Sequence, residues 1–177
     1  YWVWGASEKP PLLMVHGLRD HSRSWDTLAE ALSADYRVVA CDLRGHGDSE
    51  WTRGATYELT DFMLDLVGLI DLLGGKVSVV AHSMGCRSTL ITAGTFPERF
   101  ERIVLFNTWF WDIQKDPAVA NAAKVVNGGL GKLLYINGNA APKLAKARYC
   151  QKDKFSEDIE SAIRGPYESK DTRTAPY

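Results

Sequence analysis

The stretch from Val77 to Cys86 constrains the fold of this chain more than any other. Val77-Ser78-Val79-Val80 is short, apolar and rich in β-branched valine, the composition of a strand buried on both faces of a sheet. Ala81-His82-Ser83-Met84-Gly85 then turns the chain sharply, and Cys86 to about Gly94 reads as a helix. A serine on such a turn is lifted clear of the sheet with a helix N-terminus behind it. Small residues two positions to either side, Ala81 and Gly85, let strand and helix approach closely. The bland alternative is a serine that merely caps the following helix.

The spacing is that of G-x-S-x-G, the strand-to-helix turn that presents a nucleophilic serine, with Ala81 in place of the first glycine. At 177 residues the chain suits one domain with a sizeable core, and its 45% hydrophobic and 24% charged content is ordinary for a globular protein. A net charge of −1 gives no reason to expect nucleic acid or an anionic membrane as partner. No apolar run approaches the roughly 18 residues of a membrane span, and no signal peptide is recognisable. Cys41 and Cys86 sit in apolar segments and are expected as buried reduced thiols. Together with Cys150 they form no metal-binding spacing, so no metal and no cofactor is expected. The default location is cytoplasmic, and the sequence sets no oligomeric state.

Taken in order, Tyr1 to Trp4 reads as a strand ended by Gly5, and Leu12 to Val15 as a fully apolar strand running into His16-Gly17-Leu18. Ser22 or Ser24 can cap a helix in which Trp25, Leu28, Ala29 and Leu32 share one face. Tyr36 to Cys41 is the next strand, followed by the glycine-punctuated loop Asp42 to Ser49. Thr60 is a plausible N-cap for a helix with a stripe of Phe62, Leu66, Leu69 and Leu73, widened by Met63 and Ile70 and stopped by Gly74-Gly75. The Ser83 unit follows, and Arg102 to Phe106 is a further strand. This alternation predicts a doubly wound, mostly parallel α/β sheet over residues 1–108, with Ser83 at a strand's carboxyl end, where such sheets hold ligands. Beyond it, residues 109–177 read as a helical cap segment, broken at Gly128-Gly129, Gly138 and Gly165-Pro166.

An apolar strand then His16-Gly17-Leu18, a strand then Asp42-x-Arg44-Gly45-x-Gly47-x-Ser49, and a strand then His82-Ser83-Met84-Gly85 resemble the α/β-hydrolase superfamily in order and spacing. Phe96-Pro97-Glu98-Arg99 is similar too, and the later segment more loosely resembles the cap of esterase-like and haloalkane-dehalogenase-like members. The resemblance implies that Ser83 is the nucleophile, attacking an acyl carbonyl of a small-molecule substrate. The backbone N–H groups of Leu18 and Met84 would form the oxyanion hole, with both side chains facing the substrate. His16 is expected to be structural, bonding loop backbone, and His82 structural or part of the pocket wall. Trp109, Phe110 and Trp111 stand as tentative pocket residues or, equally, as core of the cap. Asp42, Arg44 and Asp48 read more simply as a hydrogen-bonded turn than as a catalytic cluster.

In this superfamily the acid and the histidine follow the serine in chain order, yet no histidine follows His82, and Asn107 stands where some members place an acid. The expectation is therefore a fragment of a domain of roughly 250 residues or more, with its C-terminal strands missing, inactive alone and prone to aggregate at the exposed sheet edge. The leading function is a serine hydrolase of ester or related acyl substrates. A dehalogenase or epoxide hydrolase would want an aspartate in place of Ser83. A cofactor-free haloperoxidase, a carbon–carbon bond hydrolase, or a non-catalytic small-ligand-binding protein on the same fold are the alternatives.

Overall fold

In a computed structural model of the protein the chain divides into two compact units, Tyr1–Trp109 and Phe110–Tyr177. The structure describes residues 1–52, 54, 57–108, 117 and 157. Trp109, Phe110 and Trp111, like nearly all of the segment read as a cap, lie outside the described residues.

Five strands form one sheet: β1 (Trp2–Trp4), β2 (Pro11–Val15), β3 (Arg37–Cys41), β4 (Val77–His82) and β5 (Phe100–Phe106), in the order β1-β3-β2-β4-β5. β1 runs antiparallel to β3, and the other pairings are parallel. From β2 the chain steps one way to β3, crosses back over β2 to β4, and continues to β5. This is the doubly wound arrangement of an α/β-hydrolase fold, and its direction reverses between β2 and β4. Among the described residues β1 and β5 are the outermost strands.

Right-handed crossovers place α1 (Asp26–Leu32) on one face and α2 (Leu59–Leu72) and α3 (Met84–Thr95) on the other. The packing follows that division. Leu12 and Met14 of β2 join Val38, Ala40 and Val80 beneath Ala29 of α1. Leu13 and Val15, which point the other way, join Val77, Val79 and Ala81 beneath Phe62, Leu66 and Ile70 of α2 and Cys86 of α3. β2 is continuously apolar because a side-chain period of two sends its residues alternately into two cores.

Several element ends differ from the sequence reading. α2 is capped by Glu58, not Thr60: the Glu58 carboxylate accepts the Asp61 N–H, while Asp61 Oδ2 accepts the Glu58 N–H at 2.8 Å. This reciprocal pair satisfies two donors where a threonine would satisfy one. Neither Ser22 nor Ser24 caps α1. Ser22–Trp25 forms a 3-10 turn, and Ser24 Oγ instead donates to the His21 carbonyl at 2.8 Å. α3 starts at Met84 rather than Cys86, because the Cys86 N–H already donates to the Ser83 carbonyl at 3.0 Å. α2 does stop at Gly74-Gly75, whose φ of 99° and 86° only glycine adopts without strain.

Leu66 is 1% exposed in the α2 core, whereas Leu64 of the same helix is 60% exposed. Leu66→Ala is expected to lower unfolding free energy by about 2–5 kcal/mol. Leu64→Ala is expected to stay within about 0.5 kcal/mol of wild type. Urea denaturation followed by tryptophan fluorescence measures both.

Candidate active site

Ser83 follows the last residue of β4 and precedes the first of α3. Its backbone sits at φ 52° and ψ −116°, a region that L residues rarely occupy. Such strain costs about 1–3 kcal/mol and persists only where surrounding structure enforces it. Two bonds enforce it here: the Ser83 N–H donates to the Phe106 carbonyl at 3.1 Å, and the Ser83 carbonyl accepts from Cys86 N–H at 3.0 Å. The hydroxyl makes no capping bond to α3, which removes the helix-cap reading of this serine.

Two glycines set how closely the neighbouring segments lie. A Cβ on Gly85 would stand 2.5 Å from the His16 carbonyl oxygen and 2.6 Å from that of Val15. The first turn of α3 therefore rests directly on the end of β2. A Cβ on Gly17 would stand 2.9 Å from Ser83 Cβ and 3.0 Å from His82 Nδ1. The loop carrying Leu18 is thus packed against the serine.

Leu18 is 60% exposed. Met84 opens α3, so its backbone N–H belongs to the helix's unsatisfied first turn and to the positive end of its dipole. The Met84 side chain is half-buried and packs against the α2-side core, where α2 and α3 lie side by side.

His16 is fully buried. Its Nε2 accepts the Leu43 N–H at 2.9 Å, so its Nδ1 carries the proton and donates to the Gly17 carbonyl at 2.8 Å. Both nitrogens are committed to backbone, tying the loop after β2 to the loop after β3. Burial lowers its pKa to about 4, reinforced by the neighbouring His46, whose ring centroid lies 5.2 Å away. His46 Nδ1 lies 3.0 Å from the Arg44 carbonyl, and burial lowers its pKa as well.

Asp42 opposes its own burial with bonds to the charged form. Oδ1 accepts Ser22 N–H at 2.6 Å and Oδ2 accepts Asp48 N–H at 3.0 Å, so its pKa falls below the usual range despite desolvation. Arg44 grips Asp65 of α2 with Nε and Nη2, at 2.6 and 2.7 Å. These charged residues build the turn. Cys41 and Cys86 are free, buried thiols, and burial pushes Cys41 up to about 12 and raises Cys86. Among the described residues no cluster of His, Cys, Asp or Glu is arranged to hold a metal ion, and no helix is long and apolar enough to cross a membrane.

The sequence reading passed over what joins these pieces. The Phe106 carbonyl accepts from Ser83 N–H at 3.1 Å and lies 3.3 Å from Cys86 Sγ, and Asn107 beyond it has φ 51°. An asparagine closing an apolar strand was the available signal, since asparagine tolerates left-handed backbone better than most residues.

His16 titrates near 6.5 when unfolded and near 4 when folded, so acid protonates the unfolded chain first. Its contribution to stability is complete above about pH 6.5 and is lost as pH falls towards 4, by on the order of 3 kcal/mol in all. Urea midpoints between pH 7 and pH 4.5 are expected to fall with pH. His16→Asn is expected to lower stability at pH 7 and flatten that slope.

Residues 6–169 match the family described as serine aminopeptidase, S33. The serine hydrolase-like protein of Danio rerio is 33% identical over 128 residues, which are 71% of this chain and 39% of that protein. The serine hydrolase-like protein of Homo sapiens is 31% identical over 116 residues, 64% of this chain and 57% of that one. The chain therefore spans less than two thirds of the length of these relatives. A 2-hydroxy-6-oxo-6-phenylhexa-2,4-dienoate hydrolase from Rhodococcus sp. strain RHA1 shares the fold, with a TM-score of 0.78 and 22% identity over 97% of this chain and 62% of its own. With the family match running through both the sheet and the segment beyond it, the chain belongs to the family described as serine aminopeptidase, S33, and has an α/β-hydrolase fold.

Proposed function

We propose that the whole protein is a serine hydrolase of small ester or related acyl substrates, with Ser83 as nucleophile. The observation that carries this reading is the Ser83 backbone at φ 52°, held between strand and helix with its hydroxyl not spent on capping. Strain of that kind has no use in a serine that only ends a strand.

In the proposed reaction Ser83 Oγ attacks the acyl carbonyl as a base takes its proton, giving a tetrahedral intermediate. Collapse expels the alcohol and leaves an acyl-serine, which water then hydrolyses. The Leu18 and Met84 N–H groups stabilise the oxyanion, a donor of this kind being worth on the order of 3 kcal/mol in the transition state. His16 cannot serve as the base, since both its ring nitrogens bond backbone and burial disfavours the imidazolium it would have to become. A serine in this position favours acyl chemistry over dehalogenation or epoxide opening, which would form an alkyl ester on a carboxylate. The mechanism requires no cofactor.

Incubating the whole protein with a fluorophosphonate probe tests the reading. The expected result is stoichiometric labelling on Ser83, abolished in Ser83→Ala with an unchanged melting temperature. A protein that stays unlabelled, or a label on another residue, sinks the nucleophile assignment and favours a non-catalytic ligand-binding role.

A further inference from the structure

Among the described residues, the non-glycine positions with positive φ are Arg19 at 60°, Ser83 at 52° and Asn107 at 51°. They are not scattered. Arg19 follows the His16-Gly17-Leu18 loop after β2, Ser83 follows β4, and Asn107 follows β5. All three stand past the carboxyl ends of neighbouring strands, at the end of the sheet that bears Ser83. Strained backbone gathers where a ligand must be met in a fixed geometry.

Asn107 is the one whose placement beside Ser83 is fixed bond by bond. The register of β4 and β5 sets His82 opposite Phe106, so the residues that follow, Ser83 and Asn107, emerge side by side. The Phe106 carbonyl accepts the Ser83 N–H at 3.1 Å and lies 3.3 Å from Cys86 Sγ, whose single S–H it shares with the Ala81 carbonyl at 3.2 Å. Cys86 is wholly buried, so this clasp is held from the core side. Asn107 itself is exposed. A plain turn at φ 51° is served more cheaply by glycine, which carries no Cβ penalty. Asparagine adds a neutral carboxamide, with two N–H donors and one acceptor, on the residue whose backbone emerges beside that of Ser83.

We propose that Asn107 is a substrate-binding residue whose carboxamide N–H donates to an oxygen of the acyl substrate held at Ser83. This rests on Ser83 being the nucleophile. The bond forms to the bound substrate and persists through the transition state, so it stabilises both alike and acts on KM rather than kcat.

The test compares the whole protein with its Asn107→Gly, Asn107→Asp and Ser83→Ala variants in p-nitrophenyl ester hydrolysis, with melting temperatures taken in parallel. Glycine keeps the backbone conformation and removes the carboxamide. Aspartate keeps the shape and removes the N–H donors. Both are expected to raise KM about tenfold with kcat within about twofold of wild type, the size of one hydrogen bond, and Asn107→Gly is expected to melt no lower than wild type. Wild-type KM in both variants overturns the proposal and leaves the Ser83 reading intact, with Asn107 present for its backbone alone. A loss of kcat that tracks a lowered melting temperature in both variants overturns it equally, in favour of a structural role. Hydrolysis that survives Ser83→Ala unchanged, or no hydrolysis at all, overturns the nucleophile reading and this proposal with it.

Discussion

α3 can begin where it does only because Gly85 has no side chain. Any Cβ there would meet two backbone carbonyl oxygens at the end of β2, at 2.5 and 2.6 Å, and backbone cannot swing aside as a side chain can. With the helix set directly on the sheet, the residue between β4 and α3 must reverse the chain in one step, and Ser83 does so at φ 52°. The cost of about 1–3 kcal/mol is small against the core it sits on. Each buried valine or leucine contributes about 1.5–3 kcal/mol, and Val15, Val77 and Val79 are fully buried in the core on this face of the sheet. The packing beneath α3 thus outweighs the strain and holds the Ser83 turn in place.

Polar ties then hold the loops around that turn. His16 joins the loop after β2 to the loop after β3 as an uncharged donor and acceptor, which is how a polar side chain can lie at 0% exposure without a charge to desolvate. Asp42 does the reverse. It stays ionised by taking two backbone N–H bonds, from Ser22 and Asp48, and so folds both neighbouring loops onto the end of β3. Arg44 extends the same network onto α2 through its bidentate grip on Asp65. A histidine, two aspartates and an arginine on neighbouring loops resemble catalytic equipment, yet the bonds just described tie loop to loop and loop to helix.

The sheet was legible because β2, β3 and β4 are buried on two faces, and double burial writes itself as an uninterrupted apolar run. α2 was legible from Phe62, Leu66 and Ile70, which recur at helical spacing because one face of that helix meets the core. Helix starts were read less well, since several neighbouring polar residues can each cap in isolation. Glu58 prevailed over Thr60 because Asp61 three residues on could return the bond, a pairing that depends on side-chain reach more than on propensity. At the site, the Ser83 turn could be inferred from Ala81 and Gly85. At Asn107 only asparagine's tolerance of left-handed backbone was legible; the bond from the Ser83 N–H to the Phe106 carbonyl, between residues far apart in sequence, was not.

These dependences divide the residues around Ser83 into two groups that tolerate change differently. Gly85 is bounded by two backbone carbonyls, Gly17 by Ser83 Cβ and the His82 ring, and His16 bonds backbone through both ring nitrogens, so substituting them disturbs the turn before it alters any substrate contact. Leu18, at 60% exposure, and Asn107, also exposed, stand at the same end of the sheet without supporting the core. Substitutions at such exposed positions on strand-end loops should therefore leave the carbonyl-lined seat of α3 intact. A scaffold arranged this way can exchange the group beside its serine without disturbing the strained turn that presents it.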